Sequence, residues 1–369
     1  MRLVYLSPVP WASFHQRPHK FVKWFYTRHG GEVLWIDPYP TRLPLLGDFQ
    51  RLKFANVERP TLSAEMPRWL QLVRPRALPI EPLPWSGILN RFLWRDVLFK
   101  VDQFLTEPNG WIGIGKPSEL ALQVLSRVQG ISTFYDAMDN FPAFYEGLSR
   151  HAMEQRQTSL ALQVSKILVS STGLARRFDN QKQKVFMSLN ACDMGILPDR
   201  KLLLPCMAQS ILGYMGTMGH WFDWPLVIAL ANAVPTMQVR LIGPVYYPSP
   251  VKLPPNIELL PACDHDTALL AMQGFTVGLI PFRQTELTAS VDPIKYYEYR
   301  ALGLPVISTS FGEMALRGKQ NGVFLVNDRS NLARVIEDAL AYESNKDEIR
   351  QFRHENSWEV RFESCRLFD

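Results

Sequence analysis

The sequence predicts an α/β protein of two doubly wound domains, and three observations carry that prediction. Short apolar runs alternate with amphipathic helical stretches along most of the chain. The alternation comes as two complete series, separated by the aperiodic, proline-containing stretch 195–210. A chain of 369 residues, 47% hydrophobic and 20% charged, is long and apolar enough for two cores.

The first series opens on RLVYLSP (2–8), a buried strand stopped by Pro8 and Pro10. Helical periodicity follows over 19–29 (HKFVKWFYTRH), Gly30 and Gly31 end it, and EVLWIDP is the second strand. Strand, helix, strand is the unit of a parallel sheet with helical crossovers. GWIGIG (110–115), STFYDAM (132–138) and KILVSS (166–171) continue the strands, with a long helix near 145–164 between the last two. The second series runs ILGYMGT (strand), WPLVIALANAV (helix), QVRLIGP (strand) and NIELLP (short, extended). DTALLAMQG (helix), VGLIPF (strand), IKYYEYRALG (helix) and PVISTS (strand) follow, and after VFLVN comes the helix NLARVIEDALAY.

The stretch 38–100 breaks the pattern. It is proline-rich, and over 66–100 Arg68, Arg74, Arg76, Arg91 and Arg95 alternate with Trp69, Trp85, Trp94 and Leu or Phe. Such a mixture suits a membrane interface, with cations toward anionic headgroups and indoles at the boundary. It equally suits a surface excursion whose aromatics pack on the sheet. Residues 1–100 hold 15 Lys and Arg against 7 Asp and Glu, a net of +8 in a chain whose total is +5. That asymmetry points to an anionic partner for the N-terminal portion. Nucleic acid is not expected, because no recognition-module spacing occurs.

No apolar run approaches the ~20 residues of a membrane span, and MRLVYLSPVP lacks the features of a secretory leader. The four cysteines lie far apart without CxxC spacing, so neither a disulfide framework nor a zinc site is expected. The expected compartment is the cytoplasm.

In open α/β sheets ligands bind at the carboxyl ends of strands, so the loops there hold the candidate residues. After the first strand, SPVPWASFHQRPHK places Ser7, His15, Arg17 and His19 between a strand end and a helix start. The planar fork of Arg17 suits a phosphate or carboxylate, although Arg17 and His19 could equally serve the first helical turn. No GxGxxG follows, which removes the nicotinamide-binding fingerprint. After the fourth candidate strand, FYDAMDNF places Asp136 and Asp139 where a carboxylate could take a proton from a hydroxyl. Asp139-Asn140 could also start the next helix. In the second series, GYMGTMGHWFDW offers Gly216, Thr217 and Met218 as backbone approach points for a phosphate. In TASVDPIKYYEYRALGLPVISTS, Pro293 starts a helix that Gly303 and Pro305 end. Lys295 and Glu298 then share a face at i, i+3. A cation in a first helical turn opposes the helix dipole and so asks for an anionic ligand.

These segments together resemble a GT-B-fold nucleotide-sugar glycosyltransferase of the bacterial exopolysaccharide and teichuronic-acid type. SPVPWASFHQRPHK is similar to that group's N-terminal loop, FYDAMDNF to its mid-domain acidic motif, and ILVSSTGLARRF with LNACD to the end of its first domain. GYMGTMGHWFDW resembles the start of its nucleotide domain, and PIKYYEYRALGLPVIST its donor-binding motif. NSWEVRFESCRLF resembles the C-terminal helix that crosses back to the first domain. The resemblance implies two Rossmann-like domains facing across a cleft: an acceptor domain over 1–200, a nucleotide-sugar domain over 201–350, and the returning helix over 351–369. It implies that Glu298 holds the donor ribose and Lys295 the diphosphate, with Gly216, Thr217, Met218, Ser290 and Tyr296 around them. Asp139 would be the catalytic base, and His15, Arg17, His19 and Asp136 would lie in the acceptor region.

Two departures bear on the chemistry. Retaining members carry a glutamate eight residues before the ribose-binding one, and Ser290 stands there, with Glu286 and Asp292 out of register. The Arg and Lys that many relatives carry early in the nucleotide domain are also missing, with Thr217 and Trp221 in that region. Lys295 would supply the charge, as in xanthan-type glucuronosyltransferases, which the segment also resembles and which invert. The expected activity is metal-independent transfer of a sugar, UDP-linked, to a lipid-linked or growing glycan, with no cofactor. The protein would work in the cytoplasm or at the inner membrane face, meeting anionic lipid through 66–100. The alternatives are a GT-B-fold sugar-nucleotide epimerase and a non-catalytic scaffold of a polysaccharide assembly.

Overall fold

The computed structural model describes residues 1–13, 15–42, 66–106, 109–128, 130–193 and 210–368. The chain forms two compact units, Met1–Ser170 with Leu174–Ser188 and Cys365–Asp369, and Ser171–Gly173 with Leu189–Ser364. The break expected at 195–210 lies, but for residue 210, outside the described residues.

The first unit is wound on a seven-stranded sheet. It comprises β1 (Arg2–Leu6), β2 (Glu32–Ile36), β3 (Leu70–Val73), β4 (Gly110–Ile114), β5 (Ser132–Ala137), β6 (Lys166–Val169) and β7 (Val185–Met187). Their order is β3-β2-β1-β4-β5-β6-β7, and every pairing is parallel. The inner strands β1, β4, β5 and β6 are buried in continuous rather than alternating runs, because helices cover both faces. Val4, Leu34, Ile112 and Tyr135 pack under one layer, with Leu120, Val124 and Leu160 from the helices. On the other face Tyr5, Phe21 and Phe134 pack ring against ring at centroid distances of 5.2–6.4 Å.

Of the irregular stretch 38–100, residues 43–65 lie outside the described residues, and the part from 66 onward forms elements that sequence periodicity did not yield. Leu70–Val73 is a four-residue edge strand beside β2, and its exposed Gln71 breaks the apolar run that marks the other strands. Helices Ser86–Leu93 and Arg95–Phe104 follow. Two polar anchors tie this segment down. Glu81, almost fully buried, accepts from the Tyr39 hydroxyl and lies 3.4 Å from Arg156 Nε, which also meets Glu119 at 2.8 Å. Burial pushes the Glu81 carboxyl up to about 7 against the pull of Arg156. Asn90, wholly buried, pairs with both backbone groups of Leu78 at 2.8 and 3.1 Å.

The second unit is wound on β8 (Ile211–Met215), β9 (Gln238–Ile242), β10 (Ile257–Leu260), β11 (Val277–Ile280), β12 (Val306–Thr309) and β13 (Val323–Val326). The order is β10-β9-β8-β11-β12-β13, again all parallel. One face packs Phe275, Tyr299 and Leu304 from loops and helices, and the other Trp224, Val227 and Ile336. Strand glycines make room for the large rings. A Cβ on Gly213 would stand 2.1 Å from the Phe275 ring, and one on Gly278 would stand 2.3 Å from Tyr299.

The closing stretch 351–369, expected as one helix, is the end of helix Lys346–Glu355, a short helix Trp358–Ser364 and a tail. Asn356 and Ser357 divide it, because Asn356 Nδ2 turns back to Phe352 O and Ser357 Oγ receives the Val360 N–H. The tail belongs to the first unit, where Phe368 lies 4.7 Å from the Trp111 ring and Lys166 Nζ donates to Leu367 O at 2.7 Å.

Because every strand of a unit is parallel, its carboxyl ends share one edge. The strand order reverses between β1 and β4 in the first unit and between β8 and β11 in the second, which is where such sheets bind ligands. Gly278→Val is expected to destabilise the second unit by about 3 kcal/mol, since its methyls meet an aromatic ring already at full packing. Calorimetric unfolding reads this, and an unchanged transition would mean that the Tyr299 ring has room to move.

Candidate active site

In the first unit the loop after β1 is fastened before it can serve any ligand. Asp37, at the end of β2, accepts the Trp11 N–H at 2.7 Å and the Trp35 indole N–H at 2.9 Å through one oxygen, and Arg74 lies 3.3 Å from the other. Helix Arg17–His29 starts with a reciprocal cap, in which the Gln16 side chain takes a backbone N–H and His19 Nδ1 accepts from Gln16 N at 3.2 Å. With Nδ1 accepting, the proton sits on Nε2, which donates to Trp11 O at 3.1 Å. Burial, with His15 adding, lowers the His19 pKa to about 4, so His19 is neutral at pH 7. His15 is exposed and stacks on His19 at 5.1 Å.

Arg17 and Asp136 hold each other. Arg17 Nη2 is 2.9 Å from Asp136 Oδ1, Nη1 donates to Ser188 O at 2.7 Å, and the Tyr5 hydroxyl donates to Asp136 Oδ2 at 3.0 Å. At 3% and 0% exposure, this pair fixes the carboxyl end of β5 and is fully occupied inside the unit. Asp139, three residues on, is only half-buried. Its pKa is pushed up to about 7, first by burial, with Arg17 opposing and Asp136 adding. A carboxyl that titrates near neutrality can exchange a proton with a hydroxyl. Beside it Asn140 is 1% exposed, and neither Oδ1 nor Nδ2 has a protein partner among the described residues. The sequence reading took Asn140 only as a helix starter. A buried amide with both of its polar atoms unpaired suits a polar ligand or water.

In the second unit helix Ile294–Ala301 begins at Pro293 without a side-chain cap, so its first N–H groups are served by neither Asp nor Ser. Lys295 Nζ lies 2.8 Å from Glu298 Oε2, both partly shielded at 26% and 11%. A Cβ on Gly216 would meet Lys295 Cε at 3.6 Å, so the loop after β8 and the start of this helix come together beside the strand-order reversal. The glycine loop differs from expectation at two of its three approach points. Gly216 and Met218 spend their N–H groups on the carbonyls of Ile242 and Pro244, and the Met218 side chain is core. Thr217 stays half-exposed, with its carbonyl taking the Tyr214 hydroxyl at 2.9 Å. Tyr296 is buried, donating to Gln320 at 2.6 Å with the Arg317 guanidinium 3.9 Å over its ring, and so supports the helix from behind. Ser290 is buried in a short turn, where its carbonyl takes the Ser171 hydroxyl at 2.7 Å. Asp292 is structural: it bonds Asn190 N and the Tyr297 hydroxyl at 2.8 Å each and pairs with Arg317 at 2.8 Å.

Thus Gly216, Thr217, Lys295 and Glu298 gather at one sheet edge, while Met218, Ser290 and Tyr296 form its support. His15 and Asp139 keep exposed surface in the first unit, whereas Arg17, His19 and Asp136 are buried there. Asp37 and Asn140 are the residues that sequence reasoning missed. Asp37 could have been noticed as the polar stop of EVLWIDP, but its two indole-side partners are 2 and 26 residues away. Among the described residues, no three His, Cys, Asp or Glu side chains cluster as a metal ion would need.

No protein-family model and no characterised sequence matches the chain. Solved structures do match. Sucrose-phosphate synthase from Thermosynechococcus elongatus superposes with a TM-score of 0.66 over 100% of this chain and 98% of its own, at 13% identity. A trehalose-6-phosphate structure from E. coli bound with UDP-2-fluoro glucose gives 0.64 over 99% and 98%, at 13% identity. The lipopolysaccharide outer core galactosyltransferase WaaB in its apo form gives 0.61 over 100% and 99%, at 11% identity. The fold is therefore the one that GT-B glycosyltransferases use, with two Rossmann-like units on parallel sheets.

Between pH about 4 and 7 the folded chain keeps a proton on Asp139 that the unfolded chain releases, so stability from this group is lost as pH rises through that window. Asp139→Asn, which cannot ionise, is expected to raise Tm at pH 8, with the difference shrinking toward pH 4. A lower Tm at pH 8 would overturn the burial account. Asn140→Ala breaks no bond within the protein and is expected to change stability by less than about 0.5 kcal/mol in urea unfolding, where a hydrogen-bonded amide would cost about 1–3 kcal/mol.

Proposed function

We propose that this protein is a glycosyltransferase that moves a sugar from a nucleotide diphosphate sugar to an acceptor hydroxyl. The observation that carries the reading is the Lys295–Glu298 pair beside Gly216 at the reversal of strand order in the second unit. A diphosphate needs a cation and N–H donors at a helix start, and a ribose diol needs a carboxylate within a turn of them. In this reading Lys295 meets the diphosphate, and its ion pair with Glu298 loosens as the phosphates arrive. Glu298 then accepts from the ribose hydroxyls. A nucleotide-sugar donor is supported by the fold match to a protein determined with UDP-2-fluoro glucose bound.

For the acceptor, Asp139 takes the hydroxyl proton. A carboxyl near 7 is half ionised at neutral pH, and its conjugate acid is weak enough to keep the proton it takes. Transfer in one displacement, with inversion, follows from Ser290 standing where a retaining site has glutamate, buried with its backbone tied to Ser171. As charge builds on the departing diphosphate, Lys295 and the first N–H groups of its helix stabilise it without reorganising. The acceptor we infer is a lipid-linked or growing glycan of a bacterial surface polysaccharide.

Lys295→Ala is expected to raise the donor KM and lower kcat in a transfer assay, and unaltered kinetics would remove Lys295 from the site. Asp139→Asn should abolish turnover while a nucleotide sugar still raises Tm, and a fully active variant would refute the base. The parent's kcat/KM should fall as pH drops below about 7. A thermal-shift panel of nucleotide diphosphate sugars names base and sugar, since a binder raises Tm by mass action. Conversion of donor without any acceptor would instead indicate an epimerase.

A further inference from the structure

Helix Ser86–Leu93 is inside out. A surface helix normally turns apolar residues to the core and polar ones to water. Here the only residues it buries are Ser86 and Asn90, while Ile88, Leu89, Phe92 and Leu93 are 56%, 52%, 65% and 44% exposed. Its inner side is held by polar bonds, Ser86 Oγ to Glu81 O at 3.1 Å and the two Asn90 bonds to Leu78. The residue before it, Trp85, has φ of 67°, a left-handed conformation costly for a non-glycine side chain, and its indole is 76% exposed. Phe99, on the next helix, adds 60% exposure. Exposed apolar residues this dense on one small face mark an interaction surface.

Charge selects the partner. A hollow of about 450 Å³ on this face is walled by Phe92, Leu98 and Phe99 and bordered by Arg91, Arg95 and Arg127; Arg127 is taken up by Asp102, which leaves Arg91 and Arg95 as the cations that face outward. The Arg95 guanidinium lies 5.3 Å from the Phe92 ring, so cation and ring form one amphiphilic unit. Apolar side chains with arginines among them match the acyl and phosphate levels of an anionic bilayer. No described helix is long and apolar enough to cross a membrane, which fits a helix that lies in the interface.

We propose that the face formed by Trp85, Ile88, Leu89, Phe92, Leu93 and Phe99 docks on the surface of an anionic phospholipid bilayer, with lipid phosphates seated between Arg91 and Arg95. The aromatic and aliphatic groups enter the interface, and the polar anchors on Glu81 and Leu78 keep the helix on the fold as they do so. The assignment is independent of the transferase reading, because it needs neither donor nor turnover.

The test is co-sedimentation of the full chain with vesicles of phosphatidylcholine alone and with about a third phosphatidylglycerol. Binding to the anionic vesicles and not to the neutral ones is expected, weakening as salt rises. Arg91→Glu with Arg95→Glu should lower the partition at least about tenfold, on about fivefold for each arginine near an anionic surface. Phe92→Ser with Ile88→Ser should lower it at low salt too, where charge alone would still bind. All four side chains are exposed, so circular dichroism and Tm of the variants should match the parent. Native-like sedimentation of both double variants would overturn the proposal, as would no binding of the parent to anionic vesicles at 50 mM salt. A parent that is dimeric without lipid and made monomeric by Phe92→Ser would overturn it too, by assigning the face to a second copy of this chain.

Discussion

A buried charge must be paired, and in each unit of this protein one guanidinium–carboxylate pair sets where the loops at the sheet edge can go. In the first unit Arg17, from the start of a helix, meets Asp136 at the end of β5 and reaches Ser188 beyond β7. Three distant stretches of chain are thereby locked to one point. In the second, Arg317 meets Asp292, and Tyr297 and Asn190 complete the ring of donors around that carboxylate. Such pairs add little net stability against an apolar replacement, yet removing one partner alone is severe, because the other charge is stranded. What they supply is position.

The groups left over are those the proposed transfer would use. Asp139 is close enough to the Arg17–Asp136 pair to feel both charges, but burial dominates and holds its carboxyl near neutrality. Had Arg17 paired with Asp139 instead, that carboxyl would be a permanent anion and a poor base. Likewise Asp292 absorbs Arg317, while Lys295 pairs with Glu298. The structural pairs thus decide which ionisable groups remain open to a ligand.

The same economy explains the segment 66–104. Glu81 and Asn90 fasten it from below through bonds that apolar side chains cannot make, which leaves the apolar side chains outward. Its composition therefore reads as irregular on any scale that assumes hydrophobic residues face a core. Trp94 shows the contrast: one residue past the helix, it is fully buried and packs on Tyr39 at 5.3 Å.

Much of the fold was legible in the sequence because period is a local property. A strand buried on both faces must be a short apolar run, and its helix must show a stripe, so β1, β2, β4, β5, β6 and the second series could be read directly. β3, an edge strand with Gln71 exposed in its middle, and β7, three residues none of which is buried, lack the continuous buried run and exist through their neighbours. The loops after strands could also be located, since parallel topology sends functional residues to carboxyl ends. What the sequence could not say is which polar residue in each loop is spent on the fold. Arg17 and Lys295 look alike as candidate cations, as do Asp136 and Asp139 as acids, and Asp292 and Lys295, like Asp136 and Asp139, are three positions apart. Pairing depends on which partner lies within 3 Å after residues a hundred positions apart have met, and on how much water remains. Only the folded chain sets those distances, and so only the tertiary structure separated the polar residues spent on the fold from those that are not.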